Sequence, residues 1–346
     1  MKNRFLPAEW HPQSAIQLTW PHENTDWVDI LDEVIVCFGN LVKLIASHQK
    51  VLIVCPSKAI VLPHILDANL NNVIFTELPS NDTWARDHGG ITVIENGKAK
   101  ILDFRFNGWG LKFAANFDNQ ITSQLFQKGV FAKETCYENQ LGFALEGGGI
   151  ESDGKGTILT TSHCLLSPNR NGHLTKDEIE KYLLNTFNAS RILWLNHGYL
   201  AGDDTDSHID TLARLCNETT IAYVKCTDET DEHYAELKAM ENELKSFKTT
   251  DGNPYHLVAL PMADAVYDED DSEYRLPATY ANFLITNEMI LMPTYHSPKD
   301  KEAIKIMEAI FPDKKVVGVN CISLIKQHGS LHCVTMQYPI EVMLNC

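Results

Sequence analysis

The feature that most constrains this chain is a repeated order of elements: hairpin, helix, strand. Asn96-Gly97 sits inside the run ITVIENGKAKILDF at 91–104, and this dipeptide suits a two-residue hairpin because both positions accept positive φ. Asp153-Gly154 punctuates 150–161 in a similar way. Asn217-Glu218 divides a strand pair read over 208–225, and Asn287-Glu288 separates NFLIT from MILMPTY. Between these hairpins the pattern predicts helices at 116–131, from a Thr175/Glu178 capping box to about Phe187, at 231–248 and at 298–311. Strands are expected after them at 191–195, 256–260 and 315–319. The first unit reads as helices near 26–48 and 57–68 with strands at 51–55 and 73–78. A strand near 13–20 is left to close against a last strand, roughly 331–337.

Five such units make an α/β fold: a five-bladed α/β propeller with pseudo-fivefold ββαβ repeats, in a single domain over 1–346. Two doubly wound α/β domains also satisfy strand–helix alternation. No glycine-rich, serine-rich or charged linker marks a boundary for them, and the acidic run Asp268–Glu273 falls inside a unit.

Composition narrows the partners. A formal charge of −17 argues against nucleic acid and anionic membrane, and leans weakly toward a cationic small molecule. Nine cysteines without regular spacing fit a reducing compartment. The opening MKNRFLPAEWHPQ has no apolar signal core, and no run reaches the ~18 apolar residues of a membrane span. A cytoplasmic protein is expected. A homo-oligomer is compatible with the sequence, which does not set the oligomeric state.

Reactive side chains stand in or beside four of the five hairpins, with Asp87, Glu146 and His208 about sixty residues apart. If 208–210 is a strand, His208 and Asp210 share one face; a surface histidine beside a helix-capping aspartate is the alternative. Glu146 precedes three glycines, which allow close approach of a ligand or another chain. Asp87 follows Trp84-Ala85-Arg86, a segment that surface ion pairs explain equally well. Cys333 falls in the last strand and is either a thiol for chemistry or a small buried apolar residue. His332 is not expected to be its base, because neighbouring strand residues face opposite ways. Trp84 and Trp109 either line a pocket or fill a core. His163-Cys164, His332-Cys333 and His208-x-Asp210 lack metal-site spacing, so no metal is expected.

Together these segments resemble the agmatine deiminase branch of the guanidino-group-modifying (pentein) superfamily, over nearly the full chain. The matching segments are Glu9-Trp10, Thr19-Trp20-Pro21, Trp84-Ala85-Arg86-Asp87, Asn107 with Trp109-Gly110, and Glu146-Gly147-Gly148. They continue with Leu165-Leu166, Asn169-Arg170-Asn171, Asp204-Thr205-Asp206, His208-x-Asp210 and His332-Cys333-x-Thr335-x-Gln337. The resemblance implies the five-bladed propeller, Cys333 as nucleophile, and His208 as general acid and base paired with Glu146. Asp87 and Asp210 would grip the guanidinium. The chain departs from the family pattern at Gly90, at Ser207 where glycine is common, and at Gln327-His328-Gly329-Ser330 before the His-Cys pair.

The implied reaction is hydrolysis of agmatine to N-carbamoylputrescine and ammonia, toward putrescine and other polyamines, with no metal or organic cofactor. A guanidinium is a planar fork of donors that two carboxylates can hold while a thiol approaches its face. The same carboxylates oppose thiolate formation in the empty site, so substrate binding is expected to help generate the nucleophile. Free arginine, peptidylarginine and amidino transfer to an amine remain as alternatives, and a non-catalytic polyamine or guanidine binder is the reading from another class. The acidic loop at 268–273 slightly favours an ammonium-ended substrate.

Overall fold

A computed structural model of the chain describes residues 4–345; Met1–Asn3 and Cys346 lie outside the described residues. The chain forms a five-bladed α/β propeller. Every blade contains an antiparallel pair followed by a strand parallel to its second member. In the second blade these strands are Ile91–Glu95, Lys98–Arg105 and Cys136–Ala144, with Arg4–Phe5 added at the edge. The third has Ile150–Ser152, Thr157–Thr161 and Arg191–Leu195, and the fourth Ala213–Asn217, Thr220–Lys225 and His256–Pro261. The fifth has Leu284–Ile285, Met289–Thr294 and Lys315–Asn320. The first blade joins both ends of the chain. Met336–Pro339 pairs antiparallel with Gln13–Thr19, Met336 opposite Gln17, and Lys50–Cys55 and Val73–Glu77 follow in parallel. The strand near 13–20 therefore closes the ring as the order of elements predicts.

Helices fill the crossovers at Leu31–Ala46, Lys176–Phe187, Tyr234–Ser246 and Asp300–Ile310. The first presents Val34, Phe38, Leu41 and Ile45 to Val51 and Ile53 of its own sheet, all fully buried. Side chains of this size each contribute about 1.5–3 kcal/mol when removed from water. The capping box forms, with Thr175 and Glu178 satisfying each other's backbone N–H. Asn96 and Gly97 take φ of 53° and 78°, as the hairpin requires. No helix among the described residues is long and apolar enough to cross a membrane.

Local structure departs from the sequence pattern in four places. Residues 331–334 form a turn and the last strand is Met336–Pro339, because the Thr335 N–H and hydroxyl both donate to the His332 carbonyl. Residues 209–211 form a 3-10 turn, closed by Thr211 donating to the His208 carbonyl, so the fourth blade's pair begins at Ala213. The helix expected over 116–131 shrinks to Ile121–Gln127 behind a 3-10 turn, since Asn81 Oδ1 accepts from Phe117 N and Asp118 N. Pro63 limits the segment near 57–68 to Lys58–Val61 and a 3-10 turn.

Candidate active site

Side chains that immediately precede the inner strands meet in one buried cluster. Asp87 comes from the helical turn Ala85–His88 ahead of Ile91, and Glu146 caps the turn Gly147–Gly149 ahead of Ile150. His208 and Asp210 flank Ile209, and Cys333 stands three residues before Met336. All five are buried. Asp87 Oδ1 lies 3.6 Å from His208 Nδ1 and accepts from Gly148 N, while its Oδ2 accepts from Trp109 Nε1 at 2.9 Å. A Cβ on Gly148 would stand 2.6 Å from His208 Nδ1 and 2.8 Å from Asp87 Oδ1, so only glycine lets these groups converge. Asp210 Oδ2 accepts from His332 Nδ1 at 2.7 Å, and Cys333 Sγ lies 3.9 Å from that same oxygen. Asp210 Oδ1 and both His208 nitrogens are buried without a protein hydrogen-bond partner.

His208 and Asp210 thus project together, although through a 3-10 turn rather than one strand face. Glu146 and His208 stand as an ion pair without a direct hydrogen bond. His208 Nε2 is 3.9 Å from Glu146 Oε2, an ion-pair separation and not a hydrogen bond. Both Glu146 oxygens instead accept from Arg170 Nε, at 2.9 and 3.0 Å. Arg170 also grips Asp206 Oδ2 and the Thr205 carbonyl, which ties the loop before His208 to Glu146. Glu146, Cys164 and His208 bring ligand-type atoms within 4.8 Å of one another, the one such trio among the described residues, and Arg170 already bonds the carboxylate member.

Charge sets the protonation states. Burial alone would depress His208, but Asp87, Cys164 and Glu146 outweigh it and raise the imidazole to about 10. Burial pushes Asp87 up to about 6 against the pull of His208. Asp210 goes the other way: despite burial, its bond to His332 and the His332 charge hold it below the usual carboxylate range. The Cys333 thiol is held well above its ordinary value by burial and then by Asp210 and Asp87.

The cluster opens into a pocket of about 410 Å³. Trp84 and Trp109 wall it beside Cys333 and Asp87, and both also pack in the hydrophobic core. Its lining also includes the exposed Phe113 and Asp26 and the half-buried Asp82, Asp204 and His328, whose Nε2 lies 3.7 Å from Asp204 Oδ2. The acidic loop at 268–273 does not line it, and Glu269 pairs with Lys326 at 3.0 Å.

Several site residues have no local signature of their role, although Glu9, Arg170 and His332 stand in segments that carry the resemblance. Arg170 lies on a short helix, and Cys164 behind His208 looks like any buried thiol. His332 bridges Asp210 to Glu9, which is also paired with Arg214, a buried chain assembled from three distant segments. Asn282 had a usable signal: it opens the segment NFLIT, the fifth blade's counterpart of the other site positions.

A thiol, an imidazole and three carboxylates gathered by the blades of one α/β propeller define a pentein-type enzyme. The chain belongs to the Porphyromonas-type peptidyl-arginine deiminase family, whose model matches residues 5–339. A solved structure of a "putative arginine deiminase" from Porphyromonas gingivalis is 52% identical, with a TM-score of 0.94 over 99% of this chain and 100% of that one. A Cys-to-Ser variant of C. jejuni agmatine deiminase with substrate bound is 39% identical, with a TM-score of 0.90 over 98% and 97%. A sequence named "putative agmatine deiminase" from Legionella pneumophila (strain Paris) is 34% identical over 97% of this chain and 95% of its own length.

Proposed function

We propose that the protein hydrolyses the guanidinium group of agmatine, giving N-carbamoylputrescine and ammonia through a covalent intermediate on Cys333. The observation that carries the choice of substrate is the pocket's charge. The lining out to its mouth holds Asp26, Asp82 and Asp204, with His328 beside Asp204, and no lysine or arginine among the described residues lines it. Such a mouth attracts the terminal ammonium of agmatine and repels the carboxylate of free arginine. Its likeness to the substrate-bound C. jejuni agmatine deiminase points the same way.

In this mechanism Asp87 and Asp210 accept from the guanidinium fork, and Asp210 Oδ1 has no other partner to give up. The entering cation displaces the Cys333 thiol proton to solvent, leaving the net charge of the site unchanged. The thiolate adds to the guanidinium carbon. Protonated His208 donates to one nitrogen, which departs as ammonia and leaves an amidino-thioether. The neutral imidazole then takes a proton from water, which attacks the same carbon. Collapse of this second adduct breaks the C–S bond, the hydroxyl proton passes to the departing sulfur to restore the thiol, and the urea-type product is released. Glu146, fixed by Arg170, lies 3.9 Å from His208 Nε2 and favours the imidazolium.

Ammonia release from agmatine, free arginine and a peptidylarginine, measured with one enzyme preparation, tests the reading. Agmatine should be strongly preferred, and Asp204→Asn should raise its KM more than it lowers kcat. Faster turnover of either arginine substrate would overturn the proposal.

A further inference from the structure

The loop ahead of Cys333 carries an imidazole into the pocket at a backbone position that favours glycine. His328 follows the short helix Ile322–Ile325, donates its N–H to the Ile325 carbonyl at 3.0 Å, and takes φ 66°. Glycine adopts this left-handed conformation without steric cost, so backbone shape gives no reason for a histidine here. The next residue holds the loop against the pocket wall: a Cβ on Gly329 would stand 2.1 Å from Cζ3 of Trp84. His328 Nδ1 lies 3.0 Å from the Gly202 carbonyl oxygen, which only accepts, so Nδ1 carries a hydrogen. In the neutral ring Nε2 is therefore a lone-pair acceptor, and it stands 3.7 Å from Asp204 Oδ2. The Tyr274 ring packs edge-on against the imidazole, with its hydroxyl 3.5 Å from Nδ1, and Asp203 and Asp268 add negative charge around it. The other charged groups lining this pocket, Asp26, Asp82 and Asp87, are carboxylates. The nearby cations are engaged elsewhere: Lys112 bonds the Asp204 carbonyl and Asp206, and Lys326 pairs with Glu33 and Glu269.

We propose that His328 is a specificity-determining residue for the far end of the substrate, its neutral Nε2 accepting from the agmatine ammonium together with Asp204 Oδ2. This rests on agmatine being the substrate of the reaction above. Two acceptors 3.7 Å apart can share one ammonium at ordinary hydrogen-bond lengths. A carboxylate alone attracts any cation; a second, uncharged acceptor fixes the direction of the ammonium's bonds. Protonation reverses the role of the ring. Nε2 then donates to Asp204, and a second cation occupies the place that the ammonium needs. Imidazoles ordinarily change charge between about pH 5 and 8, so the preference for an ammonium-ended guanidine should fall as pH drops through that range.

The test compares agmatine with pentylguanidine, which has a methyl group in place of the ammonium and so reports the guanidinium end alone. Calorimetric titration of Cys333→Ser gives the ratio of the two dissociation constants at about pH 5.5 and about pH 8, and ionisation of Asp87 cancels in that ratio. The preference for agmatine should be about 10-fold smaller at the lower pH. Adding His328→Gly should cut the preference at the higher pH by about 5–10-fold and abolish its pH dependence. This substitution relieves the positive φ, so folding is not at stake. His328→Gln, which offers an oxygen that does not titrate, should recover part of the preference and stay flat with pH. A preference at the higher pH that His328→Gly leaves unchanged would overturn the inference. So would a pH slope that survives His328→Gly, which would belong to Asp82, pushed up to about 6 by burial. Ammonia release from agmatine by the wild type judges the reaction separately: if it is absent while the binding preference behaves as described, the proposed function fails and the ammonium subsite stands.

Discussion

Replacing Arg170 by methionine removes one half of a fully buried ion pair while keeping much of its volume. Arg170 and Glu146 both have 0% side-chain exposure and share two contacts of 2.9 and 3.0 Å. Stranding one partner of such a pair costs about 3–5 kcal/mol, because the remaining charge is neither solvated nor compensated. His208, 3.9 Å from Glu146 Oε2, offsets part of this and places the cost near the lower end. With about 2.1 cal/mol/K of unfolding entropy per residue, 346 residues correspond to roughly 0.7 kcal/mol/K, so Tm should fall by about 4–7 °C. Calorimetry or urea unfolding of Arg170→Met, Glu146→Gln and the double variant supplies the cycle. The double variant should recover more than half of the Arg170→Met loss, since the stranded charge has gone. A Tm within about 1.5 °C of wild type, or strictly additive losses, would refute the claim that Arg170 compensates Glu146.

Four further outcomes follow from the same geometry. Agmatine binding to Cys333→Ser should tighten as pH rises through about 6, where Asp87 ionises; calorimetric titration giving a flat affinity between about pH 5 and 7 would contradict this. The sign is opposite for stability. His208, raised to about 10, stabilises the fold fully below its unfolded value of about 6.5 and loses that contribution as pH climbs through 10, so the stability gap to His208→Gln should close there. Ser207→Gly should raise stability by about 0.5–1 kcal/mol in urea titrations, because Ser207 sits at φ 62° and the relief exceeds the added unfolded-state entropy. Trp109→Phe removes the Nε1 bond to Asp87 and should lower kcat/KM at least about 10-fold with little change in Tm.

Much of this was legible because the repeat is written in local chemistry. Asn96-Gly97 can do little except turn, and Thr175 with Glu178 caps its helix with residues three apart. Asp87, Glu146 and His208 were visible through their spacing along the repeat. What failed was local backbone shape at the site itself. The residues around Cys333 and His208 have strand-like neighbours, but side-chain bonds from Thr335 and Thr211 bend them into turns. The partners of Arg170, Asn282 and Glu9 were opaque for another reason. Each residue acts through a partner on a different part of the chain, and nothing in its own neighbourhood encodes that partner. The acidic loop at 268–273 misled because charge in a sequence has no address; the carboxylates that reach the pocket come from positions 26, 82 and 204.

The central claim is that Cys333 carries the amidino group between two halves of a hydrolysis. Wild-type enzyme turning over agmatine can be quenched in acid and its peptides weighed. The account predicts a covalent adduct equal in mass to agmatine less ammonia, confined to the Cys333 peptide and absent from Cys333→Ala. An adduct on Cys164 instead, or ammonia release by Cys333→Ala at a rate comparable to wild type, would contradict it.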